Sequence, residues 1–446
     1  MADGVLQYIG ARYVPTFYLN SDGTPEWRAG VAFEPLTIVT YNNNSYTSRK
    51  PVPAEIGEPS LNPEYWAQTG VYNAQIVQLQ NDVSELQIDV ENLNKAIKWY
   101  TPEMYGAVGD NVTDDTEAFV QMFNEVPSDS AILCVGRYLI TDQIVISKNN
   151  LKISGGFARA EYNPVIRFER TAPQTPDIYI TGYGIGISNI IFQGSGTGNN
   201  ETLIELNAAD NSGNIDAIFD SCGFFSAYRA VLVKGRNVLV TNSIFSTLTI
   251  GYDIEAITGL TTEYRGFIIQ GCRVHGCNTL LRSVVAIAPT AKKGIAILNN
   301  YIDFTITIAN AVSGGIEIIG NVYKKYDAGG GPAVIIQTNS LDTNYSYINV
   351  IASNVFEGNT TSGTRAIETQ SAPAIVIDNV FNNFAGFAIG CAVAGKIIAK
   401  NNVFNDITGR CVEAAAPVTG IVKYNTGINS GTFTATGATV SDNDSI

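Results

Sequence analysis

One short phrase returns three times near the end of the chain, as Asn354-Val355-Phe356, Asn379-Val380-Phe381 and Asn402-Val403-Phe404, at spacings of 25 and 23 residues. Looser copies run backward through Asn189-Ile190-Ile191-Phe192, Ser221-Cys222-Gly223-Phe224, Asn242-Ser243-Ile244-Phe245, Gly271-Cys272-Arg273-Val274, Asn299-Asn300-Tyr301-Ile302 and Gly320-Asn321-Val322-Tyr323. Each copy follows a β-branched run such as Ile316-Glu317-Ile318-Ile319, so the unit reads as strand, corner, strand. Hairpin sheets would alternate polar faces across two-residue Asn-Gly turns, whereas here one Asn and one aromatic keep a fixed phase. A fixed phase at this period marks a solenoid of stacked parallel strands. Asn at the corner tolerates the left-handed conformation and hydrogen-bonds its copy in the next turn, while the aromatic points inward. With strands about 4.8 Å apart along the axis, nine or more turns make a rod roughly 45 to 50 Å long.

Composition agrees. Only 15% of the 446 residues are charged, Gly numbers 42, and Tyr and Phe together number 41, a profile of stacked strands with tight corners. A formal charge of −14 with no basic stripe excludes a nucleic-acid grip. The first residues carry no basic stretch followed by an apolar core, and the longest apolar runs are strand-length, so neither a secretion signal nor membrane insertion is expected. The six cysteines show no framework spacing, and Cys222 and Cys272 share one phase of the repeat, which predicts buried free thiols. The only histidine lies between thiols in Cys272-Arg273-Val274-His275-Gly276-Cys277, but no second ligand cluster accompanies it, so no metal and no cofactor is expected.

Three regions precede the solenoid. Residues 1–72 read as a small aromatic-rich β module around Trp27, Tyr41, Tyr46 and Trp66, with a turn at Asn42-Asn43-Asn44. Residues 73–99 hold an unbroken heptad series, Ile76, Leu79, Val83, Leu86, Val90, Leu93 and Ile97, which predicts a short α-helical coiled coil and self-association. Core chemistry alone, β-branched residues alternating with Leu, leans toward two strands. Residues 100–427 are assigned to the β-helix, opening with Asp114 as the cap of a helix over about 114–126 whose apolar stripe is Ala118, Phe119, Met122, Phe123 and Val126. Residues 428–446, rich in Gly, Ser and Thr, are assigned to a C-terminal cap or tail.

The stretch Tyr105-Gly106-Ala107 to Thr113-Asp114-Asp115-Thr116 and on to Phe119 resembles the opening motif of the pectate-lyase-like β-helix superfamily. Together with the heptad stalk, the aromatic N-terminal module and the Asn-rich solenoid, it resembles a bacteriophage tailspike or fibre. The resemblance implies a right-handed parallel β-helix, a homotrimer, and a place in the virion through an attachment protein of tail, collar or capsid. The N-terminal module is also faintly similar to small chitin-binding domains, which implies sugar stacking on Trp27, Tyr41, Tyr46 and Trp66.

Within the rod, charge concentrates between residues 252 and 282. Asp253 and Glu255, two apart on a strand, face one side and with Glu263 are the candidate catalytic carboxylates for glycoside hydrolysis. Tyr252, Tyr264, Arg265, Arg273 and His275 are the candidate carbohydrate-binding residues. The polygalacturonase elements are incomplete, since His275-Gly276 is present without consecutive mid-coil aspartates or Arg-x-Lys. The expected function is a virion spike that adsorbs to host surface polysaccharide. A glycan-degrading tailspike, hydrolase or lyase, is the alternative, and a secreted polysaccharide lyase is third. Asp110, Asp114 and Asp115 are read as helix-capping and turn residues.

Overall fold

The computed structural model describes residues 15–70, 78–89, 99–156, 164–170, 175–208, 213–255, 264–283, 292–303, 305–308, 315–324, 332–337, 349–359, 365–370, 373–391, 396–414, 419–435 and 438–445. The chain divides into two compact units, Met1–Lys98 and Trp99–Ile446.

In the first unit, strands Thr16–Phe17, Thr37–Tyr41, Asn44–Ser48 and Trp66–Gly70 form one sheet. Asn42 and Asn43, both left-handed at φ 48 and 62, make the two-residue turn that closes the central hairpin. Phe33, Val39, Tyr46, Val52 and Trp66 form its buried core. Residues 78–89 are helical, and the heptad residues Leu79, Val83 and Leu86 are exposed on them. Ile76, Val90, Leu93 and Ile97 lie outside the described residues.

The second unit is a parallel β-helix of about 13 turns. One side is a 14-stranded sheet running from Trp99–Tyr100 to Thr439–Ser441, and the remainder is a 23-stranded sheet in which most turns contribute two short segments or one long bent strand. The repeat register is the one the sequence phrase implies. Phe192, Phe224, Phe245, Val274, Ile302, Tyr323, Phe356, Phe381 and Phe404 pair in unbroken succession, one per turn. Their rings stack where Phe meets Phe: Phe356 on Phe381 and Phe381 on Phe404 both have centroids 5.0 Å apart and planes within 10°. Offset stacking of this kind adds about 1 kcal/mol per pair to the burial.

Beside the aromatic stack runs a ladder of buried amides. Asn300, Asn321, Asn354, Asn379, Asn402, Asn425 and Asn443 each occupy the same corner. At each step two donors, the backbone N–H and the side-chain Nδ2, converge on the Oδ1 of the next asparagine at 2.9–3.0 Å. The second hydrogen of Nδ2 goes to a strand carbonyl, as from Asn379 to Ile351 at 2.9 Å. From Asn300 to Asn443 each ladder carboxamide therefore finds partners for its oxygen and its hydrogens. In earlier turns Ser243 accepts the Cys222 amide at 3.1 Å, while the Cys222 and Cys272 thiols face strand carbonyls at the same phase.

The left-handed residue is the one before the ladder asparagine, not the asparagine itself. Asn299, Gly320, Ser353, Asp378, Asn401 and Tyr424 all have φ between 54 and 72, and the corner turns there. This corrects the reading that placed both duties on one Asn. A ladder residue must aim its amide along the axis, which leaves the bend to its neighbour.

Helix Thr116–Glu125 covers the first turns, burying Ala118, Phe119, Met122 and Phe123, with Val126 buried just beyond. Its cap differs from the expected one. Asp115 holds the N-cap position, and its buried carboxylate accepts the Val108 and Gly109 amides at 2.7 and 3.2 Å. Asp114 instead receives the Thr116 amide at 3.0 Å, and Asp110 the amides of Val112 and Thr113. At the other end strands Phe433–Ala435, Thr439–Ser441 and Asp444–Ser445 continue the pairing, so the coil runs past residue 427 instead of ending in a separate tail. All six cysteines are buried and free.

The outward face of the 14-stranded sheet carries one long aliphatic column among polar ones such as Asp220, Thr241 and Gln270. Ile218, Leu239, Ile268, Ala296, Glu317, Val350, Ile375, Ile398 and Ile421 pair turn upon turn along one outer column. Eight of these nine are aliphatic, over a span of about 38 Å.

Replacing Asn379 by Ala should lower unfolding free energy by about 3 kcal/mol, because it leaves the Asn354 amide and side chain without an acceptor inside the coil. The shift of the urea midpoint at unchanged m-value measures it, and a cost below about 0.5 kcal/mol would remove the ladder from the list of stabilising interactions.

Candidate functional site

The strands that carry the charged cluster are Ile244–Ile254 and Arg273–Ser283, paired with each other in the 23-stranded sheet. Between them they decide which side chains meet. Tyr252 is fully buried, packed edge-on against Phe245 and Phe267 at 5.2 and 5.5 Å, so it is a core residue and not a sugar platform. Asp253, which faces the other way, is also fully buried. Arg229 Nη2 approaches it at 2.9 Å and Arg282 Nε donates to it at 3.1 Å, with a second contact from Arg282 Nη2. Hydrogen bonding to this carboxylate holds the Arg282 guanidinium above its ordinary pKa. A carboxyl group braced by two arginines and closed to solvent serves the structure, which corrects the expectation of Asp253 as a catalytic acid. Glu255, at the strand exit, is held through its amide on the Val233 carbonyl at 2.9 Å. Glu263 lies outside the described residues. Tyr264 and Arg265 begin strand Tyr264–Gln270 of the 14-stranded sheet, so their backbone is in a different sheet from Arg273 and His275.

Arg273 and His275 do share an exposed face. His275 is 70% exposed, and its Nδ1 lies 2.6 Å from Oδ2 of Asp303, a side chain only 3% exposed. Asp303 was not singled out in the sequence, although a signal existed. It follows His275 by 28 residues, one turn of the coil, and so shares its phase. Cys272 and Cys277 point into the core while His275 points out, so the three cannot converge on one ion. Among the described residues no group of three His, Cys, Asp or Glu is placed to hold a metal.

A second carboxylate pair is brought together by the same one-turn logic. Asp177 and Glu201, 24 residues apart, are both fully buried. Asp177 Oδ1 accepts from Arg170 Nη1 at 3.0 Å, and Glu201 Oε2 accepts the Ser195 amide at 2.8 Å. Among the described residues their remaining oxygens have no other partner, and a proton shared between the two carboxyls would satisfy both. Burial first, and the Glu201 carboxylate second, push Asp177 up to about 8, and burial raises Glu201 as well. No substrate reaches groups so enclosed, and the pair is a structural acid.

In the N-terminal unit Tyr46 and Trp66 are 6% and 2% exposed and belong to the core, which removes them as sugar platforms. Trp27 and Tyr41 are half-buried, edge to face at 5.4 Å, and with Glu26, Thr40, Asn42 and Asn43 line an open cleft of about 300 Å³.

No family model matches this sequence, and no curated protein matches it. Solved structures do. The catalytic domain of Agl-KA superposes with a TM-score of 0.54 at 13% identity, over 77% of this chain and 67% of that one. The A-module of mannuronan C-5 epimerase AlgE6 from Azotobacter vinelandii gives 0.49 at 12% identity, over 78% of this chain and 99% of that one. Tailspike protein 3 of bacteriophage CBA120 gives 0.48 at 14% identity, over 94% and 76%. At such identities the likeness is one of fold.

The buried acid pair predicts an unusual pH dependence. Between the ordinary carboxylate pKa near 4 and about 8, the folded chain holds a proton that the unfolded chain releases, so this pair's contribution to stability falls as pH rises through that window. Asp177→Asn, which keeps an acceptor for Arg170 and needs no proton, should shrink the drop in urea midpoint between pH 5.5 and pH 8. An unchanged drop would refute the shared proton.

Proposed function

We propose that this chain is a spike or fibre protein of a bacteriophage particle, a self-associating β-helix, three copies side by side, that adsorbs to polysaccharide on the host surface through its exposed faces. The observation that carries the reading is the outward aliphatic column from Ile218 to Ile421. A sheet that met only water would place polar residues there, and an apolar stripe of that length on a single chain asks for a partner surface. A neighbouring column, Leu298, Ile319, Ala352 and Ile377, widens it at mid-length. The exposed heptad residues Leu79, Val83 and Leu86 support the same conclusion from the other unit. Three copies, and the N-terminal unit as the part that attaches to the particle, follow from the resemblance to tailspikes. Adsorption is preferred to glycan hydrolysis by Asp253 and Glu255, since Asp253 is sealed between Arg229 and Arg282. The open cleft beside Trp27 and Tyr41 is of a size to take a sugar.

Ile398→Glu places a charge on the stripe without touching the core, so light scattering should show the mass fall to that of one chain while circular dichroism stays that of a β-fold. Retention of the oligomer would overturn the interface. Binding to an array of bacterial surface polysaccharides tests the adsorption, and reducing-end and ultraviolet assays on the bound glycans test cleavage. No retained glycan on any surface polysaccharide would refute the reading.

A further inference from the structure

The outward column next to the aromatic stack brings Ser246, His275 and Asp303 into consecutive turns. Ser246 pairs directly with His275 across the parallel ladder. Asp303 follows Ile302, the partner of Val274, and its amide bonds the Val274 carbonyl at 3.2 Å, which puts it one turn beyond His275. We propose that these three side chains form a nucleophile, base and orienting carboxylate that cleave O-acyl esters, with acylated sugars of a surface polysaccharide as the substrate class; the sugar part of this assignment rests on the function proposed above.

The geometry supplies each role. Asp303 is buried and presents Oδ2 to His275 Nδ1 at 2.6 Å, so it can accept a hydrogen bond from Nδ1–H and hold the tautomer whose Nε2 lone pair is free. Among the described residues Asp303 Oδ1 is buried without a partner, which is costly for a carboxylate that serves packing alone and is offset when an imidazolium forms beside it. The imidazole is 70% exposed, within reach of a polymer lying along the rod. Ser246 sits about 4.8 Å along the axis on the same outward phase, partly exposed. Among the described residues its hydroxyl meets only Thr247 Oγ1, at 3.4 Å, a weak contact that a turn toward Nε2 gives up readily. Nucleophile-to-base hydrogen bonds are often long in free enzymes and tighten with substrate. Arg273 extends from the same strand, two residues away and also exposed, where it can bind an anionic sugar.

The chemistry balances with water as the only co-reactant. Ser246 Oγ attacks the ester carbonyl carbon as its proton passes to His275 Nε2. The carbon–oxygen bond to the sugar breaks and the imidazolium returns that proton to the leaving oxygen, which frees the sugar hydroxyl. Water then attacks the acyl-serine, again losing a proton to His275, and the acid departs as Ser246 is restored.

The full-length protein is treated with a fluorophosphonate probe, mapped by mass spectrometry, and assayed with p-nitrophenyl acetate and with an acetylated bacterial polysaccharide. Expected are label on Ser246, loss of label and turnover in Ser246→Ala, and a fall of at least about 100-fold in His275→Ala. Asp303→Asn should lower turnover comparably and move the acidic limb of the pH–rate profile to lower pH, which a purely structural role would not do. Label on Thr247 instead, or wild-type turnover equal to that of Ser246→Ala, overturns the site. Esterase activity on p-nitrophenyl acetate without acetate release from any acetylated polysaccharide overturns the substrate class. Failure of the polysaccharide array with intact labelling of Ser246 would defeat the adsorption reading and leave the triad standing.

Discussion

A carboxamide that both donates and accepts along one axis is the constraint on which this molecule depends. Each turn of the coil must bend at a buried corner, and a bend leaves backbone amides without strand partners. The side chain of Asn has the length and the two-sided polarity to receive the amide of the preceding turn while passing its own hydrogens onward. Ser243 satisfies one such amide, but a hydroxyl makes fewer bonds, and a cysteine at that phase has only a weak donor to offer. The run from Asn300 to Asn443 is therefore where the corner is most fully satisfied.

Once the corner repeats, everything else inherits its phase. The residue two places after the ladder asparagine points inward from Ile302 to Phe404, which stacks Phe356, Phe381 and Phe404. The residue after that points outward, which lines up Ser246 and His275 and adds Asp303 one turn on. Aliphatic residues on the opposite sheet line up by the same rule from Ile218 to Ile421. A solenoid thus converts one-dimensional spacing into surface columns, so core, interface and candidate chemistry differ only in which column they occupy.

The same rule explains the miss. Asp253 and Glu255, two residues apart on a strand, are expected to share a face, but contacts in a parallel coil run across turns, 21 to 33 residues away. Asp253 meets Arg229 and Arg282, His275 meets Asp303, and Asp177 meets Glu201, each about one turn apart. Burial was the other hidden variable. Tyr46, Trp66 and Tyr252 are aromatic residues of the kind that bind sugar, yet all three are enclosed.

The winding, its phase, the inward aromatics, the free thiols and the covering helix were determined by the sequence alone, because each follows from a local pattern repeated often enough to be read. Which carboxylates are sealed and which side chain stands over His275 were decided by the tertiary structure. Turn lengths vary, so the partner across each turn depends on how much chain the intervening loop consumes, and that alignment exists only when the coil has closed.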